Sequence, residues 1–247
     1  MRRCSYCAGP LADSARFCPV CGQETAEYVE LFRDRRRPRP ISFLGRVPIQ
    51  GGPALRTVLA ILASLFLSGG FLLVFPDFGS WLVFADLLMA AVIVGSAWPE
   101  RVQLRPLWRP PALRWLLLAV AGALALPGLA ELYLSLMPEG LQQAENPFEE
   151  LSPGLKFFTV CFMPGVFEEI AFRGVVLLTL MHMLKPRGAH LLTAVLFAGI
   201  HFNPLIFPYH VVVGLFLGWL RHRSGGLWAP IAAHTAHNAA VVFLFTP

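Results

Sequence analysis

Beyond residue 53 the chain consists of long apolar runs separated by short connections rich in charge, proline or glycine. A helix needs about 20 residues to cross the hydrocarbon core of a membrane, and most of the runs come close to that length. The pattern therefore predicts an all-α, polytopic membrane helix bundle of about seven to eight transmembrane helices. The higher number applies if Pro164-Gly165 breaks the fourth run in two. The runs are Ala54–Phe75, Ser80–Trp98, Ala112–Met137, Leu155–Leu184, Ala189–Phe202, Leu205–Leu220 and Leu227–Thr246.

The charge of the connections alternates from one run to the next. Residues 100–109 hold three arginines, whereas residues 138–150 hold four glutamates and no basic residue. Basic residues also follow the fourth run (185–187) and the sixth run (221–223). Lys and Arg concentrate in cytoplasmic loops, so the pattern predicts an integral membrane protein with its N-terminus in the cytoplasm and its C-terminus outside.

Four cysteines near the N-terminus form two C-x-x-C pairs, Cys4 with Cys7 and Cys18 with Cys21. Two such pairs supply four thiolates, the ligand set of a tetrahedral structural zinc. A segment this small cannot fold on an apolar core alone, so the metal would act as its core. Residues 1–23 are therefore predicted to be a zinc ribbon, and they resemble the short ribbons at the N-termini of many prokaryotic membrane proteins.

The composition separates a basic N-terminal part from an oily remainder. Hydrophobic residues make up 56% of the 247 residues and charged residues 14%, against about 25% charged in an ordinary soluble domain. Residues 24–53 contain an arginine- and proline-rich stretch (33–40) that cannot form a long helix. We expect a linker near anionic lipid headgroups, with a nucleic-acid arm as the alternative. Residues 54–247 then form the bundle, with membrane lipid around it.

The ribbon itself is not expected to bind nucleic acid. Only one arginine, Arg16, lies between its two cysteine pairs, and phosphate binding needs several basic groups. Docking onto a cytoplasmic partner or onto the membrane domain is the favoured role.

Charged and polar side chains interrupt three of the apolar runs. Glu168, Glu169 and Arg173 lie in the fourth run, and Glu169 precedes Arg173 by four residues, the favourable order for an ion pair on one helix face. Ionisable groups at membrane depth are costly and usually mark a functional site. The other candidates lie in later runs and are Phe197, His201, His234, His237 and Asn238. In a bundle these groups are expected to meet, because lipid offers them no partners.

Carboxylate, imidazole and amide groups together suit the hydrolysis of a peptide bond. A carboxylate and imidazoles can hold and deprotonate water, either directly or through a zinc ion. The amide of Asn238 could donate to the oxyanion of a tetrahedral intermediate. Cys161 lies two turns before Glu168, but a single buried thiol is better explained as packing than as a nucleophile.

Three helical spacings resemble the motifs of a known family. The sequence contains Glu168-Glu169-x-x-x-Arg173, Phe197-x-x-x-His201 and His234-x-x-x-Asn238, in that order. These look like the three motifs of the CAAX protease and bacteriocin-processing family (CPBP, also called Rce1-like or Abi) of intramembrane proteases. The resemblance covers approximately residues 150–245, the protease motif core. The zinc ribbon is an addition to that core.

The resemblance implies a role for each matching position. Glu168 would be the general base that activates water, and His201 would bind that water or a metal. His234 and Asn238 would complete the site and stabilise the oxyanion. A catalytic zinc, if the reaction needs one, would be bound by Glu168, His201 and His234. The supporting positions would be Glu169, Arg173 and Phe197. His237 lies outside the family pattern and receives no role.

The sequence is compatible with three functions from different classes. The motif set favours an intramembrane (metallo)endopeptidase that cleaves a peptide or protein substrate near the membrane. The alternative is a non-catalytic scaffold or immunity-type binding protein built on the same bundle. A proton-coupled transporter is the least favoured, because the sequence lacks the repeated halves typical of transporters.

Overall fold

The fold is described here from a computed structural model of the chain. The described residues are 2–4, 9–11, 18, 55, 58–65, 82–98, 101–137 and 151–245. The predicted linker (24–53), the acidic connection (138–150), Cys7 and Cys21 lie outside these residues. Apart from two very short strands, the described regular elements are helices, in agreement with the all-α prediction.

The N-terminal described residues form a minimal hairpin. Strand β1 (Arg2–Arg3) pairs antiparallel with β2 (Pro10–Leu11), and the Cys4 amide donates to the Gly9 carbonyl oxygen. Cys4 and Cys18 are both buried, in one cluster with Leu177, Met181 and Ala189. The hairpin is compatible with the predicted ribbon, and the zinc itself stays a prediction.

The first half of the bundle contains one long helix and several shorter ones. Residues 58–65 are helical, within the first predicted run. Helix α1 (Leu82–Ala97) is followed by α2 (Arg101–Leu104), which continues as a 3₁₀ turn (Arg105–Trp108). Helix α3 (Leu113–Ser135) runs through Pro127 without interruption.

Helix α4 (residues 153–183) alternates between α and π geometry. Its segments are Pro153–Lys156 (α), Phe157–Phe162 (π), Met163–Glu169 (α), Ile170–Val176 (π) and Leu177–Met183 (α). Pro164 lies inside the helix, at the junction of the first π segment and the central α segment, where it has no N–H to donate to the preceding turn. The predicted break at Pro164-Gly165 is therefore a change of helical geometry within a continuous helix. The π segments of α4 contain more residues per turn than an α-helix, and such segments are often found at functional sites.

The C-terminal half completes the bundle. Helix α5 comprises Pro186–Gly199, and the chain turns after it at His201 and Phe202. Phe202 has a positive φ of 49°. Helix α6 (Phe207–Ser224) ends at Gly225, whose φ of 77° is the left-handed conformation favoured at a helix C-terminus. Helix α7 (Trp228–Ala240) continues as a π turn (Val241–Phe245).

Small residues allow the helices of the core to approach closely. A Cβ at Gly214 would lie 2.9 Å from the Cα of Ala194, and one at Gly218 would lie 2.9 Å from Nδ1 of His190. Gly214 meets Ala194 and Gly218 meets His190, so residue numbers rise along α6 as they fall along α5. The two helices are therefore antiparallel. The Gly214-x-x-x-Gly218 spacing thus serves close helix packing.

The bundle is charged inside and apolar outside. Arg173 and Glu169 are completely buried, while Leu113, Leu117 and Leu132 on α3 are each at least 60% exposed. Exposed apolar side chains of this kind are compatible with a lipid environment. Within the described part, α3 is the one helix long and apolar enough to cross a membrane by length and composition, and α1 is apolar but shorter. The predicted count of seven to eight spans stays a prediction.

Candidate active site

The centre of the candidate site is a buried ion pair on α4. Nη1 of Arg173 donates to Oε1 of Glu169 over 2.8 Å, and both side chains are fully buried. Nη2 of Arg173 donates to the carbonyl oxygen of Gly214 on α6 over 3.1 Å. Gly214 has no side chain that could block access to this oxygen. A buried charge pair is stable only when its hydrogen bonds are largely satisfied. The ion pair is the contact through which Glu169 and Arg173 would fill the supporting role predicted for them.

His234 of α7 joins the same carboxylate. Its Nδ1 lies 2.9 Å from Oε1 of Glu169, and the imidazole is almost fully buried. Helix α7 reaches this position because Gly165 lies directly beneath Thr235, where a Cβ would overlap the threonine side chain. One oxygen of Glu169 therefore accepts hydrogen bonds from two helices.

Phe197 is the aromatic side chain around which the site packs. Its ring makes edge-to-face contacts with Phe172, His201 and His234, at centroid distances of 5.4, 5.0 and 5.6 Å. The guanidinium carbon of Arg173 lies 4.4 Å from the same ring centroid. The phenylalanine of the second spacing thus contacts members of the first and third.

The hydrogen bonds of the two histidines assign their tautomers. Nδ1 of His201 lies 2.9 Å from the carbonyl oxygen of Phe197, and a carbonyl oxygen can only accept. Nδ1 of His234 faces a carboxylate that is paired with Arg173 and likewise accepts. Both imidazoles therefore carry hydrogen on Nδ1, which leaves Nε2 as an acceptor or a metal ligand when the ring is neutral. Orienting bonds of this kind are typical of catalytic and metal-binding histidines.

Both glutamates have a buried Oε2 without a partner in the described part of the chain, but Glu168 differs from Glu169 in accepting no hydrogen bond from Arg173 or His234. The side chain is nine-tenths buried, and within the described part of the chain its Oε2 has no hydrogen-bond partner. It lies close enough to His234, Glu169 and Arg173 to interact with all three electrostatically. An uncompensated carboxylate in such a place is costly, and catalytic groups are where proteins accept that cost.

Asn238 is bound differently from the sequence-based expectation. Its Nδ2 donates to the backbone carbonyl oxygen of Val160 over 2.8 Å, in the first π segment of α4. One of its two amide hydrogens is thus used to attach α7 to α4, and the second is left for a ligand. The oxyanion role stays a prediction.

Several residues near the site had no role in the sequence-based prediction. His210 stacks on His201 with ring centroids 4.0 Å apart and an interplanar angle of 24°. Tyr209 places its hydroxyl 3.1 Å from Nε2 of His237. Asp86 of α1 is buried and interacts electrostatically with Glu168. The signal for each was a lone polar residue inside an apolar run.

Among the described residues, the site contains no preformed set of metal ligands. The donor types of Glu168, His201 and His234 suit zinc, yet among the described residues no three His, Cys, Asp or Glu side chains are grouped to hold a metal ion. Cys161 is a buried free thiol, in line with the packing role expected of it.

One comparison with known proteins gives a match. Residues 150–240 match the family model described as Type II CAAX prenyl endopeptidase Rce1-like. Searches of the curated proteins and of the solved structures gave no match. The matched segment contains the three motif spacings and the helices that carry them, from the start of α4 to the end of α7. Residues 150–240 thus form a region similar to this membrane-protease family.

Proposed function

We propose that the protein is an intramembrane endopeptidase that hydrolyses a peptide bond at the membrane, with Glu168 as the general base. The observation that carries the proposal is the division of labour between adjacent carboxylates. Oε1 of Glu169 is bound by Arg173 and His234, whereas the buried carboxylate of Glu168 accepts a hydrogen bond from neither of them. The similarity of residues 150–240 to a protease family agrees with this reading.

The reaction follows from what these atoms can accept. Glu168 takes a proton from water as the water oxygen bonds to the carbonyl carbon, and the carbonyl π electrons move onto its oxygen. The tetrahedral intermediate then expels the amine as the carbon–nitrogen bond breaks, and Glu168 returns the proton to that nitrogen. Nε2 of His201 accepts the other hydrogen of the water and orients it, and His234 completes the site through its bond to Glu169. The second amide hydrogen of Asn238 donates to the oxyanion.

The substrate in this proposal is a peptide or protein segment close to the membrane. The exposed apolar side chains of α3 support a position among lipids, and the buried polar groups of the site would give water a place to bind. The membrane is proposed to be that of a prokaryotic cell, with the N-terminus in the cytoplasm and the C-terminus outside. No step is assigned to a metal, because the described donors are not grouped around one.

The test is cleavage of internally quenched peptides by the purified protein in detergent, including a probe with an S-farnesylated CAAX terminus and unmodified apolar peptides. We expect Glu168→Ala, His201→Ala and His234→Ala each to abolish cleavage, while His190→Ala keeps it, since His190 contacts His222 outside the site. Retention of cleavage by folded Glu168→Ala protein would refute the mechanism. Cleavage by none of the proteins, wild type included, would favour a non-catalytic binding protein.

We further propose that Cys4, Cys7, Cys18 and Cys21 bind a structural zinc. Support comes from the hairpin at Cys4 and from the joint burial of Cys4 and Cys18. Zinc per chain should be measured for the wild type, for a variant lacking residues 1–23, and for His201→Ala in that truncated background. Loss of one zinc on truncation supports the ribbon, and a second zinc lost only with His201 would place a metal at the membrane site. Zinc unchanged by truncation would contradict the ribbon.

A further inference from the structure

His210, a residue outside the three motif spacings, stacks on the imidazole of His201. The ring centroids lie 4.0 Å apart and the ring planes differ by 24°, so the two rings lie nearly face to face. Phe197 meets the same imidazole at a longer centroid distance of 5.0 Å and a steeper angle of 62°. The plane of the His201 ring is therefore bounded by one residue of α5 and one of α6.

His201 needs such support because it lies beyond the last residue of α5, Gly199. Its amide donates to the carbonyl oxygen of Ala198 over 3.3 Å, and the chain then turns through Phe202, whose φ is 49°. Side chains in turns are placed less precisely than side chains on regular helices. Nδ1 of His201 is bonded to the carbonyl oxygen of Phe197, but a ring held at one nitrogen can still change its tilt.

The start of α6, which carries His210, is itself anchored by two other helices. The hydroxyl of Tyr133 on α3 donates to the carbonyl oxygen of Leu205, just before α6, over 2.9 Å. Tyr209, the neighbour of His210, places its hydroxyl 3.1 Å from Nε2 of His237 on α7. These bonds fix the backbone on both sides of the first turn, so His210 is a firm surface for another ring to rest on.

We propose that His210 is a positioning residue, which holds the imidazole of His201 in the orientation in which Nε2 accepts a hydrogen of the attacking water. The inference rests on the proposed function for the role of that nitrogen. Nδ1 of His210 is buried and has no hydrogen-bond partner within the described part of the chain. Stacking, and not a hydrogen bond through this atom, is therefore what His210 contributes, and it takes no proton in the reaction. A poorly aimed water costs rate.

The kinetic test compares His210→Phe and His210→Leu with His222→Leu, a matched change at the other end of α6, where His222 contacts His190 outside the site. With the quenched peptides as probe, we expect His210→Leu to lower kcat about 10- to 100-fold with KM within about twofold, because His201 loses its orientation. His210→Phe keeps a flat ring and should retain most of the kcat, and His222→Leu should cleave as wild type. Wild-type kcat in His210→Leu, or an equal loss in either of the other two variants, would overturn the proposal.

A second measurement does not depend on cleavage. Histidine-selective nitrogen NMR in detergent reports the tautomer of each imidazole, and His201→Ala identifies the signals of His201. In the wild type and in His210→Phe we expect a single form with hydrogen on Nδ1, as the bond to Phe197 requires. In His210→Leu the signals should shift toward values averaged over both tautomers. Unchanged His201 signals in His210→Leu would overturn the positioning role.

Failure of this inference and failure of the proposed function give different results. Full cleavage by Glu168→Gln would refute the proposed function, while the NMR comparison would still decide whether His210 orients His201. Loss of cleavage in Glu168→Gln together with wild-type kcat in His210→Leu would refute the role of His210 alone.

Discussion

His234 and Glu169 face each other across α7 and α4, with Nδ1 of the imidazole 2.9 Å from Oε1 of the carboxylate. The same oxygen binds Arg173 at 2.8 Å, so the second glutamate of the adjacent pair is held by two side chains, and the first is the general base in the proposed function. Replacement of Glu169 should therefore lower the stability of the protein, whereas replacement of Glu168 should lower activity without lowering stability.

The first prediction concerns this separation. Glu169→Ala leaves Arg173 and His234 without their shared acceptor, and breaking a buried pair costs about 3–5 kcal/mol. We expect a strong drop in Tm measured in detergent, together with loss of cleavage. Glu168→Ala is the matched control and should keep or raise the Tm, since it removes a buried carboxylate without breaking the bonds to Arg173 and His234. Equal Tm values for the two variants would contradict the assigned roles.

The second prediction concerns Phe197, whose ring contacts Arg173, His201 and His234. Phe197→Ala should lower the free energy of unfolding by about 3–5 kcal/mol, as large core truncations do. Phe197→Leu should cost less, because it keeps most of the volume and loses only the aromatic contacts, each about 0.5–1.5 kcal/mol. Thermal unfolding of the two variants measures the order, and Phe197→Ala as stable as wild type would show that the ring is not central.

The third prediction compares two glycines within helices. Gly165→Ala places a Cβ against Thr235 and should push α7 away from α4, whereas Gly128→Ala meets nothing within 4 Å. We expect Gly165→Ala to lower Tm and cleavage together. Gly128→Ala should leave cleavage unchanged and keep the Tm or raise it slightly, since alanine favours helix by about 1 kcal/mol. The reverse order would mean that α4 and α7 do not meet at Gly165.

The fourth prediction concerns the bond from Asn238 to Val160. Asn238→Asp replaces the amide donor with an acceptor that faces the carbonyl oxygen 2.8 Å away. We expect this variant to lose more stability than Asn238→Ala, because the second leaves the carbonyl unpaired without adding repulsion. Thermal unfolding of both variants provides the comparison. An Asn238→Asp protein as stable as wild type would indicate that the amide is not held by α4.

The sequence contained much of this site because helical spacing acts within one element. The pair Glu169–Arg173, and the bond from His201 to the carbonyl of Phe197, each join residues four apart, so periodicity alone places them together. The apolar runs likewise predicted the helices, with ends shifted by a few residues.

The rest depends on tertiary structure. Which glutamate meets His234 is decided by how α7 lies on α4, and π segments in α4 change the residues that share a face. A 3.6-residue period carries no sign of such turns. Asp86 was visible as a lone acid in an apolar run, but only the structure shows that it is buried on a helix that packs against α4.

The measurement that tests the central claim most directly is kcat for Glu168→Gln beside Glu131→Gln, with the quenched peptides as substrates. Both changes remove one negative charge from a helix at constant shape, and Glu131 lies exposed on α3. The account predicts that Glu168→Gln folds with at least the wild-type Tm and loses cleavage by at least about 100-fold, the smaller end of what general-base catalysis contributes, while Glu131→Gln cleaves normally. A folded Glu168→Gln protein with the kcat of Glu131→Gln would contradict the account.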